Sequence, residues 1–264
     1  MKTNCAILIP IYKQSIDKFE EKSFRQCLNI LSKYPIYIIT HKKLNTKLYN
    51  DIASEYEKYL HYEYFDEVFF QNIQGYNRLM LNIDFYNRFK SNKYILIYQL
   101  DAYVFKDELD YWCQQSYDYI GAPWFERYSS HEKNALLWDV GNGGFSLRRV
   151  QYFIKVLKWK LPVKKINLKD LLCHFSIGKL LYIFGYYNTM KYHIETNQIN
   201  EDAFYTQFLK RSWITPKVPD VITAAHFSFE QSPSYLFKLC NNQLPFGCHG
   251  FLKYEYDTFW YHYI

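Results

Sequence analysis

Residues 94–105, Tyr94-Ile-Leu-Ile-Tyr-Gln-Leu-Asp-Ala-Tyr-Val-Phe105, decide how this chain folds. Tyr94 to Tyr98 is an unbroken run of β-formers with no Gly or Pro, the pattern of a central strand buried on both faces. Just past the run stands one carboxylate, Asp101. Ligands of open α/β sheets bind at the carboxyl ends of the strands, so an acid there is well placed for chemistry; the alternative is an Asp that caps the next turn.

The segments around this strand alternate. Cys5 to Ile9 reads as a first strand stopped by Pro10, and residues 15–31 carry Phe19, Phe24, Cys27, Leu28 and Leu31 at helical spacing. A strand is expected over residues 36–40, a helix over 47–59, a strand over 64–70 and one helix from Gly75 to about Phe89. Residues 117–124 read as a short strand and tight turn that carry Trp124 toward the sheet edge, and the polar stretch to Asp139 as a mobile loop. Alternation of this kind predicts an α/β fold: a mostly parallel, Rossmann-like sheet flanked by helices. At 264 residues the chain suits a single domain over 1–264.

Composition narrows the function. With 49% hydrophobic and 22% charged residues the chain is globular rather than disordered. Its 28 Tyr and 21 Phe suit carbohydrate contacts, but AT-rich codons, which also explain the many Lys, Asn and Ile, are the favoured explanation. A net charge of +6 suits a phosphorylated ligand or an anionic membrane surface, while the scattered Lys residues argue against nucleic acid. Six cysteines without metal-type spacing read as reduced thiols. The first apolar run is too short for a signal peptide, so a cytoplasmic location is expected. The apolar residues 171–184, interrupted by His174 and Lys179, read as a buried or interfacial helix.

Three further features bear on chemistry. Gly141-Asn-Gly-Gly144 removes side-chain bulk over four positions, so backbone amides can approach a ligand; a tight hairpin is the alternative. Asn200-Glu-Asp-Ala-Phe204 opens a helix, with Asn200 as N-cap and the acids at the positive end. The same acids suit a general base for a hydroxyl nucleophile. Trp124 could lay its indole against a hexose or simply pack in the core. No P-loop, His-Glu-x-x-His or Ser-His-Asp order is present.

In this order, Asp101, the glycine segment and the Glu-Asp pair resemble the sugar-nucleotide-dependent glycosyltransferases of the GT-A fold. Those enzymes end a strand in Asp-x-Asp, line the donor sugar with a Gly-Gly-Phe-Ser type segment and open a helix beside the acceptor with Glu-Asp. The chain departs from the first motif, since Asp101-Ala102-Tyr103 has Tyr where the second acid would stand. A more specific likeness is to a bacterial family of unknown function related to these enzymes. It is carried by Gln99-Leu-Asp-Ala102, Tyr119-Ile-Gly-Ala-Pro-Trp124, Gly141-Asn-Gly-Gly-Phe-Ser-Leu-Arg148, Asn200-Glu-Asp202 and Pro245-Phe-Gly-Cys-His-Gly250.

The resemblance implies a nucleotide-sugar-binding half over 1–150 and an acceptor-binding half over 151–264. Donor contacts would come from Pro10, Tyr12 and Lys13, from Tyr76, Asn77 and Arg78, and from Gln99, Asp101, Asn142, Gly143 and Gly144. Trp124 and Glu201 would face the acceptor, and Asp202 would be the base of an inverting displacement. Mn²⁺ or Mg²⁺ would sit on Asp101 and His249; because the acidic motif is degenerate, metal-independent binding through His249 or Arg78 is the alternative. The implied reaction moves a sugar from a UDP-sugar to a saccharide or lipid-linked hydroxyl in bacterial surface-polysaccharide or capsule assembly. It would proceed in the cytoplasm, with peripheral contact at the inner face of the membrane. A retaining transferase on the same fold and a catalytically degenerate nucleotide-sugar- or glycan-binding protein remain the competing readings.

Overall fold

The computed structural model describes residues 4–128, 135–165, 178, 181 and 186–264. Its centre is a six-stranded sheet in the order β3-β2-β1-β4-β9-β6. Here β1 is Cys5–Pro10, β2 Ile36–Thr40, β3 Leu60–Tyr64, β4 Tyr94–Tyr98, β6 Tyr119–Ile120 and β9 Phe145–Arg149. The first four run parallel, with Leu8 beside Tyr37 on one side and Ile97 on the other. Only β9 is reversed, pairing antiparallel with both β4 and β6.

Each central strand is buried on both faces and feeds two cores. Ile7, Ile9, Leu96 and Tyr98 meet Phe24 and Leu28 of helix α1 (Lys18–Ile30) and Tyr49 and Ile52 of α2 (Lys47–Glu55). Ala6, Leu8, Ile95 and Ile97 meet Leu79 of α3 (Ile73–Met80), Phe85 of α4 (Ile83–Arg88) and Phe153 of a later helix, Val150–Leu157. This two-sided burial is why β4 reads as a continuous apolar run. After β4 the chain turns at Asp101 into β5 (Ala102–Val104), which joins β10 (Ser228–Phe229) and β11 (Gly247–His249) in a small second sheet. The antiparallel register sets His249 opposite Ala102, and Gly250 donates its amide to the Asp101 carbonyl at 2.9 Å. That pairing brings the far end of the chain to the carboxyl edge of β4.

Three local expectations need correction. The third strand is Leu60–Tyr64, and residues 67–70 instead form a 3-10 turn. Its apolar pair, Phe69 and Phe70, packs against the core as a turn, while the alternation Leu60-His-Tyr-Glu-Tyr64 suits an edge strand. The helix expected from Gly75 to Phe89 is two helices, because the Asn82 side chain accepts from the Asp84 amide at 2.8 Å and starts α4 afresh. The loop expected from Phe125 to Asp139 contains an antiparallel pair, β7 (Pro123–Phe125) with β8 (Leu137–Val140); residues 129–134 lie outside the described residues.

Among the described residues no helix is long and apolar enough to cross a membrane. The apolar segment 171–184 lies outside them except for Gly178 and Leu181. Cys5, Cys27, Cys113, Cys240 and Cys248 are free thiols.

Candidate functional site

A cleft of about 630 Å³ opens at the carboxyl edge of β1 and β4. The end of β1 supplies Pro10, Tyr12 and Lys13, α3 supplies Tyr76 and Asn77, and the turn after β4 supplies Gln99 and Asp101. Gly143 and Gly144, Glu201 and Asp202, and His249 of β11 close the rest. Twelve of the fifteen residues singled out in the sequence therefore meet in one concavity.

At one end stands a chain of alternating charge. His249 Nε2 lies 3.2 Å from Asp101 Oδ1 and 3.3 Å from Gln99 Oε1, while Nδ1 lies 3.1 Å from Glu230 Oε1. Burial works to lower the His249 pKa, but the two carboxylates outweigh it and push it up to about 10. Burial likewise resists the charge of Asp101, yet the neighbouring imidazolium holds it below the usual carboxylate range.

The other end is organised by Arg148, whose guanidinium is fully buried on β9. Nη1 reaches Glu201 Oε2 at 3.0 Å and Tyr86 Oη at 3.1 Å, and Nη2 reaches Glu201 Oε1 at 2.6 Å and the Gly143 carbonyl at 3.3 Å. Nε donates to Ser146 Oγ at 3.0 Å, which satisfies all five N–H groups. Glu201 is thus engaged through both oxygens in a fork–fork pair, a geometry that anchors its helix. Among the described residues the Asp202 side chain, next to it, has only backbone partners: the Ala203 amide at 2.8 Å and the Gly143 amide at 3.1 Å. Burial first, then the Glu201 and Glu230 charges, push its pKa up to about 7.

The two glycines between these ends are sterically required. A Cβ on Gly143 would collide with Glu201 Oε1, and one on Gly144 with the His249 ring. Asn200, expected as a side-chain N-cap, makes no cap bond. Asn77 does that work across the cleft, accepting from the Glu201 amide at 3.3 Å and donating to Asn200 Oδ1 at 3.1 Å. Beyond Ala203 the helix passes through a π-turn, Phe204–Phe208.

Three expected site residues lie elsewhere. Arg78 is exposed on the outer side of α3 and does not line the cleft, so it is not placed to meet phosphate there. Trp124 is buried, its indole packed over Gly141 where a Cβ would collide with the ring. Asn142 is buried at φ 67°, its side chain accepting from the Gly144 amide at 3.1 Å, so it shapes the turn from behind. Conversely, Glu230 escaped the sequence reading. The signal for it was chemical: a histidine offered as a metal ligand calls for a carboxylate on its other nitrogen.

That arrangement also tests the divalent metal. Asp101 Oδ1 and His249 Nε2 face each other while Glu230 occupies Nδ1, the pattern of a ligating histidine with an outer carboxylate. A carboxylate with an imidazole suits Mn²⁺ or a similar ion. Among the described residues no group of three or more His, Cys, Asp or Glu could hold a metal. The residues fit a two-point seat that substrate oxygens and water would have to complete.

Fold and cleft define a mostly parallel α/β protein with a polar site at the strand ends. Residues 59–249 match the family described as protein of unknown function (DUF5672), and the chain belongs to it. No curated protein matches the chain. Among solved structures, core-mannan synthase A (CmsA/Ktr4) from Aspergillus fumigatus, in its Mn/GDP form, is similar at 12% identity and a TM-score of 0.40, over 58% of this chain and 61% of that one. A glycosyltransferase involved in the glycosylation of the major capsid of PBCV-1 is similar at 12% identity and a TM-score of 0.40, over 93% of this chain and 91% of that one. The protein A197 from STIV gives 10% identity and a TM-score of 0.36, over 82% and 80%. The chain spans about three-fifths of the length of the mannan synthase, 61%.

Proposed function

We propose that this chain is a glycosyltransferase that moves a sugar from a nucleotide-sugar, with UDP-sugars the first candidates, to the hydroxyl of a saccharide or lipid-linked acceptor. One observation carries the reading. A single cleft at the strand ends holds the Asp101–His249 pair and, beyond two glycines, a carboxylate whose pKa is pushed up to about 7. A base of that pKa is half-ionised near neutral pH, where proton abstraction from a hydroxyl is most effective.

In the proposed displacement the acceptor oxygen bonds to the sugar C1 as the C1–O bond to the nucleotide diphosphate breaks. Asp202 receives the acceptor proton. The Gly143 amide and the Ala203 amide hold the Asp202 carboxylate in place, and the missing side chains at Gly143 and Gly144 let Glu201 and His249 close in beside the place proposed for the donor sugar. Glu201 and Arg148 anchor the helix start. A divalent metal held by Asp101 and His249 would offset charge on the departing diphosphate. In its absence the His249 imidazolium is itself a cation at that end, which favours direct contact with phosphate as a second reading. Residues 1–150 then serve the donor and 151–264 the acceptor, in a setting of surface-polysaccharide assembly at the inner face of a bacterial membrane.

The test is nucleotide binding followed by removal of the base. UDP should raise the melting temperature by mass action. A shift that needs Mn²⁺ supports the metal seat, and an equal shift in EDTA supports the imidazolium. Asp202→Asn should lower the transfer rate about 100- to 10,000-fold while leaving the UDP-induced shift intact. Undiminished transfer would remove Asp202 as base and favour the retaining route.

A further inference from the structure

A second cleft of about 830 Å³ is lined by residues close in sequence to some of those that line the first. Two chain segments run from one to the other: Gly143 and Asn200–Asp202 line the first cleft, and Asp139 and Ile199 the second. The helix that begins at Glu201 joins them as well, carrying Asp202 at one end and Lys210 and Arg211 at the other.

The second cleft is electropositive. Lys164, Lys165, Lys210 and Arg211 line it, against one carboxylate, Asp139, which Lys210 reaches at 3.2 Å. Among the described residues, Lys164, Lys165 and Arg211 make no ion pair. Lys164 and Lys165 are not on a loose strand end. The buried Asn188 side chain accepts through Oδ1 from the Lys164 amide at 2.9 Å and donates to the Lys164 carbonyl at 3.1 Å, and His193 Nε2 lies 3.0 Å from Asn188 Oδ1. A bridge to Ser212 fixes Lys164 against the end of the helix, and the two ammonium groups lie over the Phe208 and Trp213 rings. Trp138, about half-exposed, adds an aromatic face to the wall. Clustered like charges repel, and a concave wall focuses their field on whatever anion enters.

We propose that the second cleft is an anion subsite for the acceptor: it takes a carboxylate or phosphate carried on the saccharide whose hydroxyl reacts at Asp202. The word acceptor rests on the transferase reading above; the anion site itself does not. An oligosaccharide reaching from Asp202 across Ile199 would lay a neighbouring anionic unit among these cations, with Trp138 against a sugar face.

Calorimetric titration of the full chain without nucleotide tests this. The probes are tetragalacturonate for carboxylate, pentamannose 6-phosphate for phosphate, and neutral maltotetraose. At least one anionic probe should bind about tenfold or more tighter than maltotetraose and weaken with added salt, and the tighter of the two names the group. The double variant Lys165→Glu/Arg211→Glu, on two exposed side chains, should lose about tenfold or more of that affinity. Asp101→Asn, in the other cleft, should not alter it. Equal binding of neutral and anionic probes, or an unchanged double variant, would overturn the proposal. So would failure of both anionic glycans while phosphatidylglycerol vesicles co-sediment with the wild type alone, which would make the patch a membrane contact. If the double variant does not fold, Lys165→Gln and Arg211→Gln singly give the same reading. Because no donor is present, failure here is distinct from failure of UDP to bind.

Discussion

At one end of the first cleft Asp101, His249 and Glu230 alternate in sign, and each charge has a partner of the opposite sign within 3.2 Å. At the other end Arg148 spends its whole guanidinium on Glu201 and its surroundings, so among the described residues Asp202 pairs with no cation. The first end meets an anion as an imidazolium without changing protonation, whereas a metal there would first displace the Nε2 proton. The second keeps a carboxylate whose protonation is finely balanced, because burial and two like charges oppose its ionisation. A site that must both hold an anion and move a proton needs these two environments close together, and the Gly143–Gly144 pair is what lets them approach.

The largest effect should come from breaking the second end. Arg148→Met leaves Glu201 charged and without its partner in the interior, which costs about 3–5 kcal/mol. For a chain of this size that is a fall in melting temperature of roughly 10 °C. Removing both charges, in Arg148→Met/Glu201→Leu, should recover most of the loss, since a buried pair replaced by apolar groups is often near neutral. Calorimetric melting of the two variants decides it. A single variant as stable as the wild type would mean that the pair does not hold the helix start.

The same contrast marks what the sequence made legible. Strand β4, the glycine segment and the Glu-Asp pair carry their signals locally, in a two-sided apolar run, in missing side chains and in paired acids. The meeting of Asp101 with His249 could be expected only through resemblance, because it depends on a register between strands about 150 residues apart. What stayed hidden were assignments made by partners distant in sequence. Nothing near Glu201 says that Arg148 will take both of its oxygens, and nothing near Arg78 says that its side of α3 faces water while Asn77 faces the cleft. Trp124 shows the same limit: an indole beside a glycine-rich turn serves packing as well as sugar binding, and Gly141 decides for packing.

A smaller effect should follow from loosening the first end. Glu230→Ala removes the group that orients the His249 ring, and outer partners of this kind are worth about 10- to 100-fold in metal affinity. Mn²⁺-dependent UDP binding should weaken by that factor, with the melting temperature of the free protein little changed. Glu230→Gln retains an acceptor for the Nδ1 proton and should restore part of the affinity. An equal loss in both variants would assign the effect to charge rather than to ring orientation.

The smallest effect, and the one that links the two ends, is a displacement of the pH profile. Asp202 must be ionised to accept a proton, so kcat/KM should rise with pH, bend near its pKa of about 7 and level off above it. A base with an ordinary carboxylate pKa would instead give a flat profile from about pH 5.5 upward. The groups that face Asp202 set the direction of any change. Burial, Glu201 and Glu230 raise its pKa, whereas the Ala203 amide and Arg148 lower it. Glu230→Gln deletes one of the raising charges without touching Asp202 or its two amide contacts, so the bend should move to lower pH. A bend that stays near 7 in this variant would show that burial and Glu201 alone hold Asp202 there. The two ends of the cleft would then be neighbours in space without being coupled in charge.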